Sequence, residues 1–192
     1  MYNAVADPYC YPGTTVLKNF AGIRDQTILE RFETISTAQR ADEPLPHGRL
    51  GVSHYQAIHH HLFQDVYRWA GKFRTVRLGK SGSAFCYPEN IAREMQQLFR
   101  SLTEKRHLRG LPRAAFASEA ASFLTTLNAI HPFREGNGRM QTTFLALLAD
   151  RAGHPLDLDK LEPDGFLAAM VSSFKGNERP LVRQMVLLTR RK

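Results

Sequence analysis

Residues 116 to 148 read FASEAASFLTTLNAIHPFREGNGRMQTTFLALL, and the organisation of the chain follows from this stretch. Phe116, Ala120, Phe123, Leu127 and Ile130 step by four and three, which places them on one face of a helix. Pro132 ends that helix, because proline has no N–H and restricts the residue before it. Met140, Phe144, Leu147 and Leu148 form the next stripe, closed by Gly153 and Pro155. Two apolar helices joined by a polar nonapeptide predict a helical body with one unusual loop.

Further stripes lie on either side. Ile28, Phe32 and Ile35 predict one core-facing helix, and Tyr55, Ile58, Leu62, Val66 and Trp69 another. Ile91, Met95, Leu98 and Leu102 follow Pro88, a suitable first-turn residue. Two more helices are expected over 164–174 and 180–190. Between Gly71 and Tyr87 the pattern changes to short alternating runs, broken by Lys80-Ser81-Gly82-Ser83. That predicts a β-hairpin on an otherwise all-α fold. An isolated hairpin adds little stability, so it is either a connector or a docking element. No repeat, low-complexity tract or composition shift divides the chain, and a single domain over 1–192 is expected.

Composition narrows the function classes. With 192 residues and 43% apolar content, the chain can bury a core. A net charge of +8 favours an acidic partner such as nucleotide phosphates, nucleic acid or an acidic protein. Cys10 and Cys86 form no disulfide framework and suit a reducing compartment. No secretory signal is visible, and the longest apolar run, Phe144 to Ala149, is too short for a bilayer. A cytoplasmic protein without a membrane partner is expected.

The chemistry concentrates in His131-Pro132-Phe133-Arg134-Glu135-Gly136-Asn137-Gly138-Arg139. His131 lies where a helix meets a loop, so its ring can face a cavity. Gly136 and Gly138 permit positive φ and close approach of a ligand. Their amides precede a helix and can form an anion-binding concavity. Arg139 opposes the helix dipole unless an anion sits there. Glu135 beside a phosphate cradle makes sense with a divalent cation, because magnesium takes few protein carboxylates together with phosphate oxygens. Base, carboxylate, cradle and arginine together describe phosphoryl or nucleotidyl transfer.

This segment resembles the signature of the Fic domain family, H-x-F-x-[D/E]-G-N-G-R-x-x-R, without a gap from His131 through Arg139. Asp7-Pro8-Tyr9 and Tyr11-Pro12-Gly13 resemble the early segment of small bacterial Fic toxins. The resemblance implies an all-helical domain with a hairpin flap and transfer of AMP from ATP to a Ser, Thr or Tyr of a target protein. It implies His131 as general base, Glu135 holding Mg²⁺, and Gly136, Asn137, Gly138 and Arg139 on the nucleotide. The flap falls on Arg74, Thr75, Val76, Arg77, Phe85 and Cys86, where an extended target segment would dock by strand addition. A toxin, or an effector domain delivered into a host cell, is the implied setting.

One position departs from the signature: its last arginine falls on Thr142. A neutral hydroxyl replaces a charged fork there. Two alternatives therefore stay open, a Fic scaffold that binds with little turnover and a different nucleotide donor. The inhibitory pattern [S/T]-x-x-x-E-[G/N] is missing, since Glu89-Asn90 and Glu135-Gly136 are preceded four residues earlier by Phe85 and His131. The chain thus resembles the class inhibited by a separate small antitoxin. His59-His60-His61 point around a helix, cannot converge on one ion, and are expected at the surface. Lys105, Arg106, His107 and Arg109, and Arg190-Arg191-Lys192, lack the interleaved aromatics of a nucleic-acid site and are expected to be solvated.

Overall fold

The computed structural model describes residues 7–80 and 83–190. Ser81 and Gly82 of the expected turn, and Arg191 and Lys192 of the basic end, lie outside the described residues. The fold is all-α. Seven α-helices appear among the described residues: α1 (Gln26–Ala41), α2 (Val52–Phe63), α3 (Pro88–Glu104), α4 (Arg113–Ile130), α5 (Asn137–Ala152), α6 (Pro163–Phe174) and α7 (Arg179–Leu188). Two short strands, β1 (Gly79–Lys80) and β2 (Ser83–Ala84), pair antiparallel between α2 and α3. The chain forms two units, Met1–Ile91 with Pro132–Gly136, and Ala92–His131 with Asn137–Lys192.

In the first unit α1 packs on α2. Asp25 caps α1 by accepting the Ile28 N–H at 2.9 Å. The buried face of α1 is not the expected one. Leu29, Glu33, Ser36 and Thr37 turn inward, while Ile28 and Ile35 are 57% and 60% exposed. Both sets step by three and four, so periodicity alone admits either. Two of the inward polar groups have clear partners: the Tyr67 hydroxyl donates to Glu33, and Thr37 Oγ1 donates to the Glu33 carbonyl at 2.8 Å. Tyr55, Ile58 and Leu62 of α2 are buried as expected, but the helix stops at Phe63 and Val66 is buried from the turn beyond it.

A strap precedes α1. The Tyr11 N–H donates to the Val16 carbonyl at 2.9 Å, and the Lys18 N–H donates to the Tyr9 carbonyl at 2.7 Å. The strap is tied to the hairpin base, where the Thr75 N–H donates to the Tyr9 hydroxyl at 3.1 Å.

In the second unit α4 packs against α5, α6 and α7. Phe116, Ala120, Phe123, Leu127 and Ile130 are all buried, as their spacing predicts. Phe99 of α3 meets Phe123 and Phe144 edge-on at 5.6 and 5.3 Å, taking the inward place that the sequence reading gave to Leu98. Gly153 (φ +84°) ends α5, and the His154 N–H reaches back to the Ala149 carbonyl at 2.8 Å. Lys105, Arg106 and Arg109 are exposed, as expected of a solvated face, whereas His107 is half-buried.

Candidate active site

His131 is carried by the end of α4. Its N–H donates to the Leu127 carbonyl at 3.0 Å, and its backbone (φ 49°, ψ 62°) is left-handed. For a residue other than glycine this conformation costs roughly 1–3 kcal/mol, the kind of strain that collects at functional sites. Pro132 explains the position: the helix cannot continue, and the chain turns out at the histidine. The side chain is buried. A helix whose inward face is buried along its length therefore fixes where the imidazole starts.

The next five residues pack into the first unit. Phe133 is fully buried, stacked on His59 at 3.7 Å and on Tyr55 at 5.5 Å. Burial pushes the Tyr55 phenol above the ordinary tyrosine range, so it stays neutral beside the ring. Arg134 Nε donates to Asp7 Oδ2 at 2.6 Å, with only 6% and 7% of the two side chains exposed. The Pro132 carbonyl accepts the Arg74 N–H at 2.9 Å. Glu135 is half-buried, and its Oε1 accepts the Gly136 N–H at 2.9 Å. Gly136 has φ +81°, and a Cβ there would run into the Phe63 ring. The glycine is required twice over, by conformation and by space.

Asn137, Gly138 and Arg139 open α5 in the second unit. Asn137 is buried, Gly138 exposed and Arg139 half-buried. Gly138 does not have the positive φ expected of it; it is helical, and a Cβ on it would meet nothing within 4 Å. The space over it, at the helix N-terminus, is open. Thr142 Oγ1 donates to the Gly138 carbonyl at 3.2 Å, so the hydroxyl turns to its own helix.

At the hairpin, Gly79 pairs with Ala84 and Lys80 with Ser83, and the Phe85 N–H adds a bond to the Leu78 carbonyl at 3.0 Å. The strands are shorter than the 74–86 span expected. Arg74 is no part of an accessible edge: it is 2% exposed and donates to the carbonyls of Val76 (2.6 Å) and Cys86 (2.7 Å), clamping both legs. Thr75 and Arg77 are exposed, while Val76, Phe85 and Cys86 are half-buried. Arg77 lies over the Tyr87 ring at 4.4 Å.

The histidine triplet splits three ways. His60 is exposed and His61 meets the Arg40 carbonyl at 2.8 Å, but His59 is fully buried against the motif. The surface expectation fails for His59 because it falls on the inward face of α2. No cluster of three or more His, Cys, Asp or Glu side chains able to hold a metal occurs among the described residues. His59 and Asp7 are the supports that sequence reasoning did not assign. Asp7 stood in a motif that matched without a role, whereas His59 gave no signal beyond its place in a stripe.

Comparison with known proteins places the chain in a family. Residues 49–149 match the profile of the Fic/DOC family. The chain belongs to the Fic/DOC family. It is 53% identical over 189 residues to a probable protein adenylyltransferase, y4lH, of Sinorhizobium fredii, covering 96% of this chain and 98% of that one. It is 39% identical over 179 residues to the protein adenylyltransferase VbhT of Bartonella schoenbuchensis, covering 92% of this chain and 37% of that protein. Among solved structures, the VirB-translocated effector BepC of Bartonella tribocorum, with bound AMPPNP, superposes with a TM-score of 0.85 at 28% identity, covering 96% of this chain and 97% of that one. A Fic domain of a VirB-translocated effector from Bartonella quintana, with bound ADP, gives 0.84 at 30% identity over 96% and 95% of the two chains. This Fic chain is accordingly an enzyme of the protein adenylyltransferase class. No helix of its described residues is long and apolar enough to cross a membrane.

Proposed function

We propose that this chain moves AMP from ATP onto a serine, threonine or tyrosine hydroxyl of another protein, with His131 as general base. The observation that supports this most is His131, buried at a left-handed helix end and followed directly by an anchored loop bearing Glu135. A binding module needs no imidazole fixed in this way. The target oxygen attacks the α-phosphorus while its proton passes to His131; the bond to pyrophosphate breaks, and a phosphoester joins AMP to the target. An imidazole's near-neutral intrinsic pKa suits that transfer. Gly136, Asn137, Gly138 and Arg139 hold the phosphates at the N-terminus of α5, where amides and dipole favour anions. Positioning and charge stabilisation supply most of the rate.

The residues fit magnesium. Glu135 offers one half-exposed carboxylate, and the described residues form no cage of their own, so the ion would take its other oxygens from phosphates and water. Bound there, magnesium neutralises charge on the triphosphate. The hairpin around Thr75, Val76, Arg77, Phe85 and Cys86 docks an extended target segment through backbone bonds. The family match runs through both units, which supports reading 1–192 as one functional domain. The missing inhibitory pattern supports control by a separate small antitoxin, and the translocated relatives support delivery into another cell, whose cytoplasm supplies ATP.

Thr142 favours a second reading, in which ATP is turned over slowly or another nucleotide is the donor, because its hydroxyl donates to Gly138 rather than offering a charge. The deciding experiment supplies labelled nucleoside triphosphates and Mg²⁺ with bacterial or host lysate, comparing parent with His131→Ala. Label from α-labelled ATP on a protein band in the parent alone is expected. Label that persists in the variant, or comes only from another nucleotide, overturns the corresponding part of the proposal.

A further inference from the structure

Three carbonyl or side-chain anchors hold the loop from Pro132 to Glu135, and one is an ionisable ring with no assigned task. His59 is fully buried between Phe133 at 3.7 Å and Phe63 at 4.6 Å. The Gly71 N–H donates to its Nδ1 at 2.8 Å, and its Nε2 lies 3.1 Å from the Glu135 carbonyl. A backbone N–H can only donate and a carbonyl can only accept. Nδ1 is therefore the bare nitrogen and Nε2 carries the hydrogen, so the two bonds fix both the tautomer and the ring plane.

We propose that His59 is a positioning residue of the transfer reaction. Its Nε2–H holds the Glu135 carbonyl and thereby sets the direction in which the Glu135 carboxylate leaves the loop. The inference rests on reading Glu135 as the metal carboxylate. The carboxylate of Glu135 has its Oε1 on the Gly136 amide at 2.9 Å, so its aim follows the local backbone. Rotating the peptide after Glu135 would move that amide together with the carbonyl that His59 holds. Gly71 adds a second consequence: its own carbonyl accepts from Gln56 Nε2 at 3.0 Å, and it begins the segment that runs to Arg74 and the hairpin. One ring thus braces the motif loop against the chain entering the flap. Partners that orient a metal-binding carboxylate commonly matter by about 10–100-fold in metal affinity or activity when removed.

Three substitutions separate the two bonds from the packing. His59→Phe keeps a stacked ring and loses both bonds. His59→Asn places an amide oxygen near the Nδ1 position, able to accept from Gly71 but too short to reach Glu135. His59→Gln reaches the Nε2 position and keeps a donor toward Glu135. For each, thermal midpoint, kcat and KM for ATP across a magnesium series, and calorimetric binding of a non-hydrolysable ATP analogue with and without Mg²⁺ are measured. The expected result is that His59→Phe and His59→Asn raise the magnesium concentration for half-maximal analogue binding by about 10-fold or more. His59→Gln should stay within about threefold of the parent, and magnesium-free binding should be unchanged in all three. Equal loss in all three variants that tracks the thermal midpoint, with an unaltered magnesium requirement, overturns the proposal. So does a His59→Phe variant that behaves as the parent. If His59→Phe does not fold, the contrast between His59→Asn and His59→Gln still decides. A parent without His131-dependent labelling defeats the catalytic reading, while the calorimetric magnesium response judges His59 separately.

Discussion

Asp7→Asn removes one charge from a buried pair while keeping the shape of the side chain. Asp7 Oδ2 lies 2.6 Å from Arg134 Nε, and its Oδ1 accepts the Tyr9 N–H at 3.0 Å. Asparagine can still serve Tyr9 through its amide oxygen, so the change acts on the ion pair and on the weak thiol contact from Cys10. Stripping one partner from a buried pair costs about 3–5 kcal/mol, because the other charge stays desolvated. Here the pair borders an open groove of about 830 Å³ between the strap and Arg134, so water moderates the penalty toward the low end, about 3 kcal/mol. For a chain of this length 1 kcal/mol shifts the thermal midpoint by about 2–4 °C, which predicts a fall of roughly 6–12 °C followed by circular dichroism. Arg134→Gln alone should also destabilise. The double variant should lose clearly less than the sum of the two, since no isolated charge remains.

Cys10 supplies a second readout for the same variant. Burial first, then the nearby Asp7 carboxylate, raise its thiol above the usual cysteine range, and its Sγ donates toward Asp7 at 3.6 Å. Removing the carboxylate lowers that barrier to ionisation, so thiol-reactive dye should label Cys10 faster in Asp7→Asn. A midpoint within about 2 °C of the parent, with an additive double variant, would refute the reasoning. It would mean that the strap is held by packing and that the pair is solvated.

Thr142→Arg restores a charged fork one turn beyond the cradle; a charged hydrogen bond of about 1.5–3 kcal/mol predicts roughly 10–100-fold higher kcat/KM for ATP. No gain, with tight ATP binding already present in the parent, would count against it. Leu29→Ala should cost about 2–5 kcal/mol in urea unfolding, whereas Ile28→Gln and Ile35→Gln should stay within about 0.5 kcal/mol; the reverse order would restore the face first expected for α1. Arg40 donates to Asp65 through Nε at 2.6 Å and through its second terminal nitrogen at 2.9 Å, holding the Asp65 carboxyl below the usual range. Because the folded value is the lower one, the contribution is complete above the ordinary carboxylate range and disappears as pH falls through the lowered value. With both groups partly exposed, Asp65→Asn should cost only about 0.2–1 kcal/mol at neutral pH, and parent and variant should converge in acid.

The helices that the sequence made legible are those whose inward side is apolar by identity. On α4 every residue of the predicted stripe is buried, and Pro132 follows its end, as Gly153 follows that of α5, where expected. On α1 the inward side is Leu29, Glu33, Ser36 and Thr37, and Glu33 and Thr37 are tolerable there because Tyr67 and the helix backbone satisfy them. Tyr67 is 34 residues away from Glu33, and a local pattern carries no information about it. The motif shows the same division. Its residue types and spacing are visible as chemistry, but its supports lie 76 residues away at His59 and 127 away at Asp7. Arg74 was assigned by its place in the hairpin, and burial makes it a clamp instead.

The two proposed catalytic groups are held by different means, and that has a consequence for how damage should read out. His131 is fixed by the hydrogen-bonded end of α4, within a helix whose inward face is wholly apolar. Glu135 is fixed by tertiary anchors on its neighbours, namely the Asp7 carboxylate on Arg134, the Arg74 amide on Pro132 and the His59 ring on its own carbonyl. Loosening the strap or α2 should therefore act on the magnesium requirement before it acts on proton transfer. Shortening the core side chains of α4 should do the opposite, altering the dependence of kcat on pH while the metal requirement holds. A base set by local helix geometry and a carboxylate set by long-range contacts are separable by mutation, even though only three residues lie between them in the sequence.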